Sequence, residues 1–157
     1  MHPDTYIYAF DARTGTQQWV TKKLRGYING PTAAFNGKVY VMSYDSVWYT
    51  LSASSGAIES QKTLPNNGVS SPVAINGVLY SITDTTLAML NPDGSARWSV
   101  PVTGKYPFID DVQGGVIYVS GRGSGIYAYS ASNGSLLWHY EGYLPQPDDI
   151  VLVTIVP

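Results

Sequence analysis

The chain has 157 residues, enough for one domain that buries roughly 70% of its unfolded surface without covalent staples. It contains no cysteine, which excludes a disulfide framework, thiolate metal sites and thiol nucleophiles. Nine basic against eleven acidic residues give a formal charge of −2, too balanced for nucleic acid or an anionic membrane as the main partner.

Charged residues make up 13% of the chain, about half the usual ~25%. Tyr, Ser, Thr, Asn and Gly stand in their place, a composition that points to an extracytoplasmic (periplasmic, cell-surface or secreted) setting. The longest apolar run, IVLVTIV near the C-terminus, is far short of the ~20 residues that cross a bilayer. The chain opens MHPDT and enters a strand at once, so this form is expected to carry no export signal.

In chain order, the first predicted element is a strand over residues 5–11. It runs into YAFDARTGTQQW, residues 8–19: a strand end, a tight turn from Asp11 to Gly15, and a second strand opening at Trp19. From Pro31 comes PTAAFNGKVYVMS, two apolar runs joined by Asn36-Gly37, a type I′ hairpin signal. YTLSASSGAIES, residues 49–60, then repeats the first phrase with Ser52, Gly56 and, where a tryptophan is due, Ser60. PVAINGVLYSIT from Pro72 repeats the hairpin at Asn76-Gly77, and AMLNPDGSARW repeats the turn with Asn91, Gly94 and Trp98. PFIDDVQGGVIYVS from Pro107 carries Gly114-Gly115, and YAYSASNGSLLW carries Ser130, Gly134 and Trp138. A last strand is predicted over about 149–156.

The turn has a local chemical reason. Asp, Asn or Ser at its start can accept a hydrogen bond from a backbone N–H two residues on. The glycine that follows takes a positive φ, which costs a residue with a Cβ about 1–2 kcal/mol. Gly15, Gly56, Gly94 and Gly134 recur about every 40 residues, in step with the hairpin glycines. No stretch has a 3.6-residue period. Four short strands per 40-residue unit predict an all-β, β-propeller-type array of four-stranded antiparallel blades, a partial or small ring. Within a single domain, residues 1–157, the units are a partial blade at 5–20 and blades at about 31–63, 72–99 and 107–140, followed by the extra strand.

Runs such as VYVM, VLYSI and VIYV are apolar on both faces, as stacked sheets require. Trp19, Trp98 and Trp138 open the fourth strand of their units and are expected to pack on the neighbouring blade. Their indole N–H groups then need acceptors. Ser60 is expected to mark a weaker or differently packed contact. Trp48 aligns with Ile7, Leu87 and Ile126 on the third strand and is assigned to the core.

Tyr-Ala-aromatic, Asp-Ala-x-Thr-Gly, and Trp four residues later resembles the PQQ-like repeat of quinoprotein alcohol dehydrogenases and BamB-like outer-membrane assembly proteins. The resemblance spans residues 5–140 and implies a propeller. In that family the turn-and-tryptophan motif is structural, shared by enzymes and scaffolds. The dehydrogenases hold their quinone beside a vicinal disulfide, bind calcium through Glu, Asn and Asp, and use an Asp base. None of these residues can be carried over here, so no catalytic, cofactor-binding or metal-binding residue and no cofactor is assigned.

Other motifs have plain structural readings. GRGSG, residues 121–125, falls where a hairpin connection is due and no helix follows to hold a phosphate. Asp110-Asp111 and Asp148-Asp149 read as solvated carboxylates at strand ends. His2 and His139 lack a Ser or Cys motif, and the Asn133 sequon lies inside a tight turn. Tyr27, Tyr44, Tyr106 and Tyr143 stand outside the repeat positions and are the candidates for partner contact.

The strand count is fifteen, one short of four blades. The first strand lacks its preceding neighbour and the last lacks its hairpin mate. Such unpaired edges invite another strand. Residues 4–11 and 149–156 are therefore expected to contact a protein partner or further copies of the chain. The favoured function is a non-catalytic scaffold for protein interaction or assembly. The alternatives are a self-assembling cell-surface or filament subunit, or a fragment of a quinoprotein-like dehydrogenase completed by other blades.

Overall fold

A computed structural model describes residues 5–28, 30, 32–64, 72–103, 105–122 and 125–141, and their regular structure is entirely β. Strands β1 (Tyr8–Phe10) and β2 (Gln17–Val20) form a two-stranded antiparallel sheet, blade I. Blade II is the sheet β3 (Ala33–Phe35), β4 (Lys38–Met42), β5 (Val47–Ser52) and β6 (Ile58–Thr63). Blade III is β7 (Val73–Ile75), β8 (Val78–Ile82), β9 (Thr86–Leu90) and β10 (Ala96–Pro101). Blade IV is β11 (Lys105–Gln113), β12 (Val116–Arg122), β13 (Ile126–Ser130) and β14 (Leu136–Tyr140). Sequence neighbours are sheet neighbours throughout, the meander of a propeller blade.

The hairpins set the register. Asn36 and Gly37 have φ of 50° and 73°, Asn76 and Gly77 51° and 75°, Gly114 and Gly115 59° and 78°. Two positive φ values in succession make a type I′ turn, whose twist matches that of the flanking strands. The turns therefore pair Phe35 with Lys38, Ile75 with Val78 and Gln113 with Val116.

Alternation then sends successive residues into different interfaces. In β4, Val39 and Val41 pack with Leu24, Tyr49 and Leu51 between blades I and II. Tyr40 and Met42, from the same strand, pack with Trp48, Leu79 and Leu90 between blades II and III. Tyr80 and Leu87 meet Val112, Ile117, Val119 and Tyr129 between blades III and IV. This is why the inner strands are apolar at almost every position. The outer strands differ: every residue of β6 and of β14 is exposed.

Because strands alternate direction, the hairpins and the turns containing Gly15, Gly56, Gly94 and Gly134 share one end of the array. The β4–β5, β8–β9 and β12–β13 connections and the links between blades share the other.

Candidate functional site

The repeated turn is built from backbone bonds with varied side-chain support. In blade I the N–H of Gly15 donates to the carbonyl of Asp11 (2.9 Å), and the N–H of Asp11 to that of Thr16 (2.8 Å). Asp11 Oδ1 accepts from the N–H groups of Thr14 (2.8 Å) and Arg13 (2.9 Å) and from the Thr14 hydroxyl (3.0 Å). These bonds, the Thr14 N–H foremost, hold its carboxyl below the usual range. Ser52 and Ser130 start equivalent turns, each carbonyl accepting from Gly56 (2.9 Å) and Gly134 (2.8 Å) respectively. Asn91 departs from the expected acceptor role. Its side-chain amide donates to Ser95 Oγ (3.0 Å), and Asp93 accepts from the Ser95 N–H (3.0 Å). The residue before the glycine accepts from the N–H after it in the other turns too, through Thr14, Ser55 and Asn133.

The turns of blades II, III and IV each form a slot for an indole from the blade before. Trp19 of β2 donates its Nε1–H to the Ala53 carbonyl (2.8 Å) and lays its ring over Gly56. Trp98 of β10 donates to Ala131 (3.2 Å) and covers Gly134, where an added Cβ would lie 2.7 Å from the ring. Blade II has Ser60 at this position, yet its slot is filled. Trp48, 1% exposed on β5, donates to the Pro92 carbonyl (3.1 Å) and covers Gly94, where a Cβ would lie 2.6 Å from its ring. Ala53, Pro92 and Ala131 each follow the first residue of their turn, so the three acceptors are equivalent. The contact marked by Ser60 is differently packed: the ring comes from the adjacent strand, where Thr50 pairs with Ser60 and Trp48 with Lys62. Reading by alignment placed Trp48 in the core but missed its slot. The signal was present in the sequence: a tryptophan gained on one strand where the next had lost one.

Trp138, expected at an inter-blade position like Trp19 and Trp98, packs on no neighbouring blade among the described residues. It is 46% exposed, its ring lies 6.1 Å from that of Tyr118, and among the described residues no carbonyl accepts its N–H. Gly15 is its counterpart, with nothing within 4 Å of the position a Cβ would take.

Tyr27, Tyr44 and Tyr106 lie at the opposite end. Tyr44 (73% exposed) follows β4, and its N–H donates to the Tyr27 carbonyl (2.8 Å), which places these two exposed residues side by side. Tyr106, 65% exposed, sits in a bulge at the start of β11 with φ of 51°, a strained conformation for an aromatic residue. Tyr143 and the strand expected over 149–156 lie outside the described residues, as do His2 and Asp148-Asp149.

Asp110 and Asp111 are not at a strand end; they lie inside β11, half-buried. Asp110 Oδ1 accepts from the Ser120 hydroxyl (3.1 Å), and Asp111 Oδ1 from the Val112 N–H (2.7 Å). A long, bulged β11 carries its pairing past the point where the alternation of the sequence breaks. His139 stacks on Tyr127 (5.8 Å between ring centres, 19° between planes). Asn133 Oδ1 accepts from the Ser135 N–H (3.0 Å). Of the GRGSG stretch, Gly123 and Ser124 lie outside the described residues. Among the described residues no group of three or more His, Asp or Glu could hold a metal ion, and no helix is long and apolar enough to cross a membrane. An open cavity of about 250 Å³, lined by Phe35, Leu79, Met89 and Arg97 among others, is smaller than the roughly 300–1,000 Å³ of small-molecule sites.

Residues 3–141 match the family described as outer membrane protein assembly factor BamB. The chain belongs to the BamB family. BamB from Moraxella catarrhalis superposes with a TM-score of 0.60 at 20% identity, over 85% of this chain and 46% of that one. Quinohemoprotein alcohol dehydrogenase from Comamonas testosteroni gives 0.62 at 15% identity, over 87% and 32%. The computationally designed protein Ika4 gives 0.63 at 12% identity, over 92% and 89%. These structures share the propeller fold with this BamB-family chain, which spans about half the length of the Moraxella BamB it matches. No curated protein gives a significant match.

Proposed function

We propose that this BamB-family chain is a non-catalytic propeller scaffold that binds a protein partner in an extracytoplasmic setting, at the end carrying Tyr27, Tyr44 and Tyr106. The observation that carries this reading is how the aromatic residues divide. Trp19, Trp48 and Trp98 are consumed by inter-blade slots, whereas these three tyrosines present their rings to solvent at one end. Tyr106 does so at a backbone conformation that costs of order 1–3 kcal/mol. Phenol rings offer contact area and a hydroxyl in one stiff group, which is why tyrosine is enriched where proteins meet. The family's description, outer membrane protein assembly, supports a periplasmic location and an outer-membrane protein as partner class.

The test is titration of the chain with a urea-unfolded outer-membrane β-barrel protein diluted to low denaturant, followed by isothermal calorimetry. Saturable binding is expected, weakened by about 2 kcal/mol or more in the variant Tyr27→Ser, Tyr44→Ser, Tyr106→Asn. Binding indifferent to these changes, or dye-linked alcohol oxidation after addition of pyrroloquinoline quinone and calcium, overturns the proposal.

A further inference from the structure

Every internal interface has the same two halves. The leaving face of one blade supplies an indole, joined in blades II and III by a tyrosine from the second strand. The arriving face of the next supplies an apolar residue at the end of its third strand and the turn glycine beneath the indole. Tyr40 and Tyr80 serve on leaving faces, Leu51, Leu90 and Tyr129 on arriving faces, and all five are buried.

One half of each kind is left over. On blade IV, Tyr127 and Tyr129 point toward blade III. Alternation turns Ile126 and Ala128 the other way. Their cross-strand partners, Tyr140 and Trp138, share that outer face, with Tyr118 in the position of Tyr40 and Tyr80. On blade I, Ile7 and Trp19 point toward blade II. Tyr8 and Phe10 therefore face outward with Val20, the partner of Tyr8, and all three are exposed. Phe10 (59% exposed) holds the position of buried Leu51, Leu90 and Tyr129, and Gly15 is the one turn glycine of the four with no ring upon it.

Among the described residues there is thus an indole without a slot and a slot without an indole. We infer that two copies of this chain associate head to tail, Trp138 of each seating on the Asp11–Gly15 turn of the other and donating its Nε1–H to the Ala12 carbonyl. Ala12 is the counterpart of Ala53, Pro92 and Ala131, the three acceptors already in use. A head-to-tail contact closes only when the rotation between copies completes a ring. Two copies suit that closure, since one chain matches 46% of the Moraxella BamB propeller. This association is independent of the tyrosine end, which lies on neither face.

Light scattering coupled to size exclusion should give a mass twice that of the 17.0 kDa chain. Trp138→Arg and Phe10→Glu change exposed residues, so each should keep its β circular-dichroism spectrum while weakening association about thirtyfold or more. An equimolar mixture of the two should recover a complex of one copy of each, because it retains one intact interface. Tyr44→Ser should associate like the unchanged chain. A chain that stays monomeric at every concentration overturns the inference, whether its faces close within one chain or await other blades. So does a dimer indifferent to both variants, or a mixture that fails to complement, since a symmetric edge-to-edge dimer has no complementary halves.

Discussion

Blade II and blade III solve the same packing problem with different strands. Trp98 reaches the Gly134 turn from the outer strand β10, half-buried. Trp48 reaches the Gly94 turn from the inner strand β5, fully buried, and also packs against Tyr40 (5.9 Å between ring centres), which stacks on Phe35 (5.3 Å). What the interface demands is a ring over a glycine and a donor beneath a carbonyl. Which strand supplies the ring is free to change.

The largest effect should come from Trp48→Ala, which empties a fully buried site and orphans a carbonyl. A loss of about 3–5 kcal/mol in urea unfolding is expected, against a smaller one for Trp98→Ala. The comparison sharpens in the double variant Trp48→Leu, Ser60→Trp, which gives blade II the pattern of blade III, where Leu87 and Trp98 hold those positions. It should recover most of the loss. If it is no better than Trp48→Ala, the slot accepts a ring from β5 alone and the equivalence fails.

Next come the glycines. Gly94→Ala combines positive-φ strain of about 1–2 kcal/mol with a clash against Trp48 of about 1–3 kcal/mol. Gly15→Ala has the strain without the clash and should cost only about 1–2 kcal/mol. Denaturant midpoints measured at a concentration where the chain is monomeric would separate the two. Equal losses would show that the indole contact adds nothing at the turn.

The smallest effect is ionic. The blade II–III interface carries Lys62 Nζ against Asp93 Oδ2 at 2.8 Å, both about half-exposed. The Asp93 carboxyl is held well below its usual range, first by the Lys62 ammonium, then by the hydroxyl and N–H of Ser95. A depressed carboxyl contributes stability above its unfolded pKa, about 3.9, and loses that contribution as pH falls toward the folded value. Lys62→Met should therefore cost at most about 1 kcal/mol at neutral pH, a difference that shrinks in acid. A loss that is the same at both pH values would assign the effect to the lysine stem.

Much of the fold was legible because its determinants are local. Asn36-Gly37 dictates a type I′ turn within four residues. Asp11 and Gly15 close their turn with bonds between residues no more than five apart. Repetition of those short signals then set the blade and its four strands. The candidate contact site was legible only as a list. Nothing in the spacing of Tyr27, Tyr44 and Tyr106 says that strand direction brings them to one end, or that Tyr106 is held at positive φ.

The slots mark the boundary between the two kinds of information. Their indole bonds join residues 34, 44 and 33 positions apart, across a gap between sheets. The sequence by itself determined the turns, the strand order within each blade and the glycines that must stay bare, since each depends on φ preferences and hydrogen bonds within a few residues. Only the tertiary structure decided that Trp48 replaces the ring missing at Ser60, that Asp110 and Asp111 lie within a strand, and that Trp138 and Gly15 have no counterpart among the described residues. Those outcomes depend on which surfaces of separate sheets come within van der Waals reach, and residues dozens of positions apart settle that together.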